Sequence, residues 1–368
     1  MKKKMIITLF TLGIIIACTC WLRSATSTIH YPPLDTIANI DDIVQAYLDQ
    51  EHTHALSIGI YQAGAHEFYN YGAISDENPS SPDSLSLYEI GSITKTMTAA
   101  LLNLAVEAGK VNLDDPIRKY LPDSLCNWEE NVAITLEELA THTSGLPRIP
   151  SNMMASMLAN MDNPYKNYSV KQLYKFLKKY KPIAKAKRKM EYSNLGAGLL
   201  GHIIALQYDK DYEQLFKTQL AQPLGMNHST ITLENGLADL MVQGHSQGGK
   251  AVSNWDLPTL TGAGAIRSNT LDMLKYVEAN IKGSLSLDKT HEVRHKLDEN
   301  NGIGLGWFQQ NLKDTDVSFH WHNGGTGGFR TFCAFAKEQA IGVVILSNTA
   351  ISVDEMGMLI LQHLVRED

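Results

Sequence analysis

The feature that most constrains this chain is a hydrophobic period that changes twice along its length. Residues 56–73 alternate apolar and polar side chains around Ala63-Gly64, which predicts a β-hairpin, with a helix before it over 40–48. From about residue 135 to 240 the period is helical, and helices are predicted over 136–140, 170–180 and 195–208. After Gly302 the strand pattern returns over 304–310, 317–322, 328–336 and 340–348, and a helix over 353–365 closes the chain. Strands at both ends with a helical middle imply an α+β lobe interrupted by an all-helical lobe. The 368 residues suffice for both. A cleft between two such lobes is a natural place for a site.

The segment Glu89-Ile-Gly-Ser-Ile-Thr-Lys95 carries the first chemistry. Positions i and i+3 share a helix face, so Ser92 Oγ and Lys95 Nζ can come within hydrogen-bond reach. A serine hydroxyl is a weak nucleophile until a base removes its proton, and lysine is such a base only when burial or nearby positive charge lowers its pKa. Ser-x-x-Lys alone is common by chance. Here an apolar stretch is broken by Gly91 and followed by a helical run over 94–109, which places Ser92 at a helix N-terminus, where free N–H groups favour negative charge.

Two later motifs add to it. Glu191-Tyr192-Ser-Asn194 precedes a glycine-rich helix, and Trp321-His-Asn-Gly-Gly-Thr-Gly-Gly-Phe329 joins two expected strands. Together they supply a phenol that can shuttle a proton, an amide donor and a strand edge. Tyr165-Lys-Asn167 repeats the Tyr-x-Asn pattern but comes after Asn163-Pro164 in a loop, and is set aside. Gly244-His-Ser-Gln-Gly248 matches the nucleophile elbow of α/β-hydrolases, which works only between a buried strand and a helix. The residues after Gly249 cannot easily begin a long helix, so Ser246 reads as part of a loop.

Ser92-x-x-Lys95, Tyr192-x-Asn194 and His322-x-Gly324, in this order, resemble the three motifs of penicillin-recognising serine hydrolases. The nearest branch holds class C β-lactamases, secreted serine D-Ala-D-Ala carboxypeptidases, D-aminopeptidases and related esterases. Val111-Asn-Leu-Asp-Asp-Pro-Ile117, Leu139-Ala-Thr-His-Thr-Ser-Gly-Leu-Pro147, Pro223-Leu-Gly-Met226 and Gly302-Ile-Gly-Leu-Gly-Trp307 also look like family landmarks, and the resemblance spans roughly residues 40–365. It implies a β-lactamase/transpeptidase-like fold: an antiparallel sheet flanked by helices, with the helical lobe inserted between the N- and C-terminal strands. It further implies that Ser92 is acylated, that Lys95 and Tyr192 share proton transfer, and that Asn194 orients the substrate amide. His322 and Gly324 lie on the substrate-binding strand, and the N–H groups of Ser92 and Gly325 form the oxyanion hole. The reaction so implied is acyl transfer to water from D-amino-acid peptides or β-lactams. A carboxylesterase and a non-catalytic muropeptide-binding protein are the alternatives.

Two departures from that pattern bear on substrate. His322-Asn-Gly324 stands where class C β-lactamases have Lys-Thr-Gly, and histidine is mostly neutral above its reference pKa of ~6.5. This favours peptidase or esterase relatives. Before Tyr192, Ala186-Lys187 replaces the Pro-Gly found in many relatives, inside a basic run from Lys178 to Lys189 that reads as a solvated face, or as a contact for anionic lipid or wall polymer. His142 and Ser144 read as turn formers and Trp307 and Phe329 as core; the resemblance places Arg148 near the cleft, where it could meet a carboxylate, but it reads first as a surface residue.

The N-terminus reads as a targeting signal: Lys2, Lys3 and Lys4 precede an apolar run, giving a signal segment over 1–17. A tether over 18–36 and the serine hydrolase domain over 37–368 come next, with the helical insert at about 135–240. Ile15-Ile16-Ala17-Cys18 resembles a bacterial lipobox, so Cys18 is either a lipidated membrane tether or part of an uncleaved anchor. The protein is expected to be exported, to the periplasm or cell envelope. Cleavage before Cys18 leaves 29 basic against 39 acidic residues. That balance disfavours nucleic acid and leaves a small molecule or a cell-wall peptide as the partner. Cys126 and Cys333 are either a disulfide or two buried thiols. No Cys/His cluster has zinc-ligand spacing in the sequence, so neither metal nor cofactor is expected.

Overall fold

The structure is a computed structural model that describes residues 29–126, 128–234 and 236–367. The expected signal segment, Cys18 and the first part of the tether lie outside the described residues. In chain order the elements are α1 (Ile40–Leu48), β1 (Leu56–Gln62), β2 (Ala65–Tyr71), β3 (Tyr88–Glu89), α2 (Thr94–Glu107), α3 (Leu136–Ala140), α4 (Met154–Ala159), α5 (Val170–Lys179), α6 (Asn194–Gln207) and α7 (Tyr212–Phe216). They continue with β4 (Arg267–Ser268), α8 (Thr270–Lys282), β5 (His295–Lys296), β6 (Gly302–Ile303), β7 (Phe308–Asn311), β8 (Ser318–Gly325), β9 (Arg330–Ala336), β10 (Ile341–Ser347) and α9 (Asp354–Glu367).

Eight strands form one sheet in the order β2-β1-β10-β9-β8-β7-β6-β5, every pair antiparallel. The N-terminal hairpin therefore joins the C-terminal strands, as the doubled strand pattern implied. Its turn has Ala63 and Gly64 at φ 51° and 85°, the two left-handed residues that match the twist of a two-residue hairpin. Leu56, Ile58 and Ile60 of β1 and Ile341, Val343 and Ile345 of β10 pack against Ile43 and Tyr47 of α1 and Met356 and Ile360 of α9. On the opposite face, Val344, Leu346 and Phe335 join Met273, Leu274 and Val277 of α8 and the core of the helical lobe. Helices thus cover both faces of the sheet.

The helical lobe holds α3 to α7. Helix α2 lies between this lobe and the sheet, and its run from Thr94 to Asn103 is buried on every side. The strand expected over 304–310 is instead two short strands. Between them Gly304 N–H donates to the Trp307 carbonyl at 2.9 Å, and Gly306 takes φ 76°. A side chain on Gly306 would meet Lys95 O at 2.9 Å, so the turn sits directly on α2. The 244–249 segment is a loop, in which Ser246 and Lys250 close a turn. Ser246 has no elbow. Cys126 and Cys333 are separate buried free thiols, and Trp307 and Phe329 are wholly buried core residues.

Candidate active site

Gly91–Ile93 forms a 3₁₀ turn that runs straight into α2, which puts Ser92 and Lys95 on one face. Lys95 Nζ lies 2.9 Å from Ser92 Oγ and donates to the Ala263 carbonyl at 2.6 Å. Lys95 is only 3% exposed. Burial first, and the charge of Arg148 second, hold its amine well below the usual lysine range. A neutral amine has one lone pair, which can face the serine proton while an N–H holds Ala263. The 261–265 turn comes this close because Gly262 has no side chain: a Cβ there would stand 2.9 Å from Thr98 Oγ1 and 3.1 Å from Ala197 O.

Tyr192 leads into α6, capped by Ser193, whose hydroxyl accepts from Gly196 N–H at 2.8 Å. The Tyr192 ring lies 4.8 Å from Lys95 Nζ and 5.1 Å from Arg148 Cζ. Burial raises its phenol above the tyrosine range, and a hydrogen bond with Ser92 opposes that shift. Lysine lowered and tyrosine raised both shift the pair around Ser92 toward its uncharged forms. His142 packs against the Tyr192 ring at 4.5 Å and accepts from Ser193 N–H at Nδ1. Burial, then Lys95, keeps His142 well below its ordinary range.

Strand β8 is the opposite wall. Trp321 is the last residue of β8 paired with β7, opposite Phe308, so His322–Gly325 keeps a free edge on that side while its other edge pairs with β9. Such an edge can accept an extended substrate as an added strand. Gly324 lies against the reactive turn: a Cβ there would be 2.0 Å from Ile90 O, which also accepts from Thr331 Oγ1 at 2.9 Å. Gly91, at φ 51°, sits so close that its own Cβ would be 2.6 Å from Gly325 N. Glycines at 91 and 324 therefore set the approach of the Ser92 turn to the exposed Gly325 backbone.

His322 lies behind this surface. It is 0% exposed, and its Nδ1 donates to Asn323 O at 2.6 Å, which leaves Nε2 a buried acceptor without a hydrogen-bond partner. Its ring is 6.1 Å from that of Tyr192. Burial, then Lys95, lowers its pKa to about 3, so it is neutral at any physiological pH. Asn194 Nδ2 donates to Tyr165 OH at 2.9 Å, and Asn194 Oδ1 is buried and unpartnered.

Several neighbours were set aside or given no role by the sequence. Tyr165 belongs to the discounted Tyr-x-Asn copy, yet its hydroxyl holds Asn194. Arg148, read as a surface residue, is exposed but lies over Tyr192, and its guanidinium has no carboxylate partner among the described residues. Glu89, three residues before Ser92, is buried, with Oε1 accepting from Trp255 N–H at 2.6 Å and forming an ion pair with Arg267 Nη2 at 3.6 Å. Burial raises its pKa to about 7 against the opposing pull of Thr326, Arg267 and Trp255. The position of Glu89 inside the first motif was the available signal; the resemblance had placed Arg148 near the cleft, and for the role of Tyr165 only tertiary contact provides one. Among the described residues the single His/carboxylate group with metal-like spacing lies outside this cleft.

The constellation supplies a hydroxyl, an amine of lowered pKa beside it, a phenol of raised pKa and a backbone edge with donors, the parts needed for acyl transfer through serine. The family model described as Beta-lactamase matches residues 40–365. The beta-lactamase of Pseudomonas fluorescens is 26% identical over 347 residues, covering 84% of this chain and 92% of that protein. The D-alanyl-D-alanine-carboxypeptidase/endopeptidase AmpH of Escherichia coli (strain K12) is 28% identical over 347 residues, with 88% of each chain covered. A solved class C beta-lactamase shares the fold with a TM-score of 0.78 at 23% identity, over 89% of this chain and 95% of that one. A beta-lactamase/D-alanine carboxypeptidase from Pseudomonas syringae does so with a TM-score of 0.76 at 23% identity, over 91% and 99%. Fold, order of motifs and family match agree, and the chain belongs to the β-lactamase family of serine hydrolases, within the group that joins class C β-lactamases to penicillin-binding carboxypeptidases.

Proposed function

We propose that this protein is an exported serine hydrolase that forms an acyl-enzyme on Ser92 and cleaves amide bonds of D-amino-acid peptides. The observation that carries this reading is the buried amine of Lys95, 2.9 Å from Ser92 Oγ and depressed in pKa. Lys95 takes the serine proton as Oγ attacks the carbonyl carbon. The oxyanion meets the N–H groups of Ser92 and Gly325, donors worth about 3 kcal/mol each in such sites. Tyr192 passes a proton to the leaving nitrogen, and water then attacks the ester, returning the proton to the Lys95–Tyr192 pair. Asn194, held by Tyr165, orients the substrate amide.

The peptide preference draws on His322 and Arg148. A neutral histidine beneath the strand gives no fixed cation for a substrate carboxylate, whereas Arg148 offers one at the mouth. The likeness to a D-alanyl-D-alanine-carboxypeptidase/endopeptidase fits this, as does an N-terminal signal segment. No helix of the described residues is long and apolar enough to cross a membrane. Hydrolysis of β-lactams is the second reading, favoured by the similarity to proteins named beta-lactamase. A non-catalytic binding role fits poorly with a complete and uncharged Ser92–Lys95–Tyr192 set.

Purified protein and Ser92→Ala would be incubated with fluorescent penicillin, nitrocefin, a short nitrophenyl ester and a D-Ala-D-Ala peptide. Peptide cleavage with slow penicillin release supports the peptidase, fast nitrocefin loss the lactamase, and ester cleavage alone an esterase. Full activity in Ser92→Ala, with loss in Ser246→Ala, would sink the assignment of the nucleophile.

A further inference from the structure

Outside the cleft, three side chains from distant parts of the chain converge beneath the loop that joins β8 to β9. His54 precedes β1, Asp76 lies in the loop after β2, and His245 belongs to the glycine-rich loop at 244–249. Asp76 Oδ1 is 3.7 Å from His54 Nδ1 and 3.9 Å from His245 Nε2, and one donor atom from each residue falls within a set spanning 4.8 Å.

His245 points to a ligand. Its ring is 0% exposed, and its Nδ1 faces the Asn348 carbonyl oxygen at 3.4 Å, which assigns the ring proton to Nδ1. Nε2 is then a buried lone pair without a hydrogen-bond partner, aimed at a carboxylate oxygen. Two acceptors facing each other call for a proton or a metal ion between them, and the 3.9 Å gap is longer than a hydrogen bond. The backbone that carries this ring is fixed: His245 N–H donates to Asn348 O at 2.8 Å and its carbonyl accepts from Ala350 N–H at 2.9 Å. A ring whose second nitrogen is tied to a carbonyl on rigid backbone has the outer-shell support usual for a metal-bound histidine.

We propose that His54, Asp76 and His245 bind one zinc-class divalent transition-metal ion, with water in the fourth position. Two imidazole nitrogens and one carboxylate oxygen form a donor set suited to Zn²⁺ rather than to Ca²⁺ or Mg²⁺. Tetrahedral coordination with bonds of ~2.0–2.2 Å puts donor atoms ~3.3–3.5 Å apart, close to the separations from Asp76. His54 and His245 stack at 3.6 Å with 9° between their planes, so one ring must turn for both nitrogens to converge on one ion. Ligation turns the His54 ring toward Asp76. Neither side chain makes a hydrogen bond among the described residues, and Asp76, 58% exposed, can shift to meet the ion, while His54 is 18% exposed and held by its stacking on His245. The ligands come from positions 54, 76 and 245, which is why no linear spacing revealed them.

The ion would tie the loop after β2 to the segment under Gly325. His245 N–H also meets Gly328 O at 3.3 Å, and a Cβ on Gly244 would stand 2.5 Å from the Phe329 ring. Its role is to clamp rather than to react.

The full chain, purified without a histidine tag and stripped with EDTA, would be titrated with ZnCl₂ by calorimetry and with Co²⁺ by visible absorption. The proposal expects one ion per chain, the intense d–d bands of a four-coordinate site, and an upward shift in Tm on adding zinc. Asp76→Asn and His54→Gln, both at partly exposed positions, should each weaken binding about tenfold or more and abolish the thermal shift while keeping the metal-free Tm. Ser246→Ala, in the same loop, should bind as the parent does. Absence of stoichiometric binding overturns the site, and so does unchanged binding in Asp76→Asn and His54→Gln, which would put the ion elsewhere.

Discussion

Gly324→Ala gives the sharpest test of how the catalytic wall is built. The added Cβ would lie 2.0 Å from Ile90 O and 2.3 Å from Thr331 Oγ1, whereas ordinary contact begins at 3.4 Å. Ile90 O is backbone, so no side-chain rotation relieves the clash. Strand β8 and the 90–92 turn must part by about 1.4 Å, the difference between those contacts. On the proposed reading the Gly325 and Ser92 donors serve one oxyanion, so parting them misaligns both. A misplacement of ~1 Å costs about 10²-fold in rate, and loss of one oxyanion donor costs ~10²–10³. The Thr331–Ile90 hydrogen bond is strained as well, and overpacking costs ~1–3 kcal/mol, less than the stability of a domain of this size. The expected result is a folded protein with acylation slowed at least ~10²-fold. Progress curves with fluorescent penicillin and a nitrophenyl ester measure the rate, and a thermal melt reports folding. Gly248→Ala, where nothing lies within 4 Å of the new Cβ, is the control and should change neither. If Gly324→Ala acylates within threefold of the parent (roughly the scatter of such rates, well short of the effect of a ~1 Å shift) at an unchanged Tm, the close approach is not what aligns the donors.

Lys95→Met removes the amine beside Ser92 at nearly constant volume, and acylation should fall ~10²–10⁴-fold with Tm kept or raised, because a desolvated amine is lost; a loss under tenfold would show that another group takes the proton. The Glu89 carboxyl, raised from 4.5 to about 7, binds its proton more tightly folded than unfolded, so its contribution to stability is full below about 4.5 and is lost as pH rises to about 7. Glu89→Gln should flatten that fall, about 3 kcal/mol at ~1.4 kcal/mol per pH unit, in urea melts from pH 4.5 to 8; parallel pH curves for the two proteins would refute the assignment. Tyr165→Phe takes the hydroxyl from Asn194 and should raise KM by up to ~10-fold with kcat little changed. Arg148→Ala should slow turnover of a D-peptide ending in a free carboxylate more than that of its amide, and equal losses on both would remove Arg148 from carboxylate recognition.

What the sequence revealed is largely what is local. Ser92 and Lys95 are three residues apart on one helix face, so the spacing allowed the contact, and the glycine break and helical run around it pointed to the 2.9 Å approach. The sheet was legible because strand periods at both chain ends had to pair, and β1 does lie beside β10. The break between β6 and β7 was not, because Gly306 turns in response to the α2 backbone packed on it. Lys95 and Ala263 meet across 168 residues, an approach that no local pattern marks and that Gly262 permits by lacking a side chain. Tyr165 escaped notice because its neighbours in the chain start no tightly packed helix, whereas its hydroxyl acts on Asn194 from a separate segment.

The distribution of charge in the cleft results from burial and bears on substrate choice. A lysine in the place of His322 would stand wholly buried beside Lys95, and two desolvated amines would compete to remain neutral. Histidine avoids that conflict: with Nδ1 donating to Asn323 O, it stays uncharged without further compensation. The reactive centre is then neutral throughout, with Lys95 lowered, Tyr192 raised and His322 silent. The cation at its mouth is Arg148, exposed and lying over Tyr192, where water screens it, while Arg330 packs behind Gly325 with Nη1 on Thr326 O. Arg148 also helps to hold Lys95 unprotonated, so a substrate carboxylate that pairs with it would relax that pressure and raise the Lys95 pKa. On the proposed reading the group that recognises charge therefore also tunes the base. Binding an anionic peptide and keeping Lys95 ready to accept the Ser92 proton pull in opposite directions, and burial of Lys95, the larger cause of its depressed pKa, is what keeps the amine neutral when such a substrate is bound.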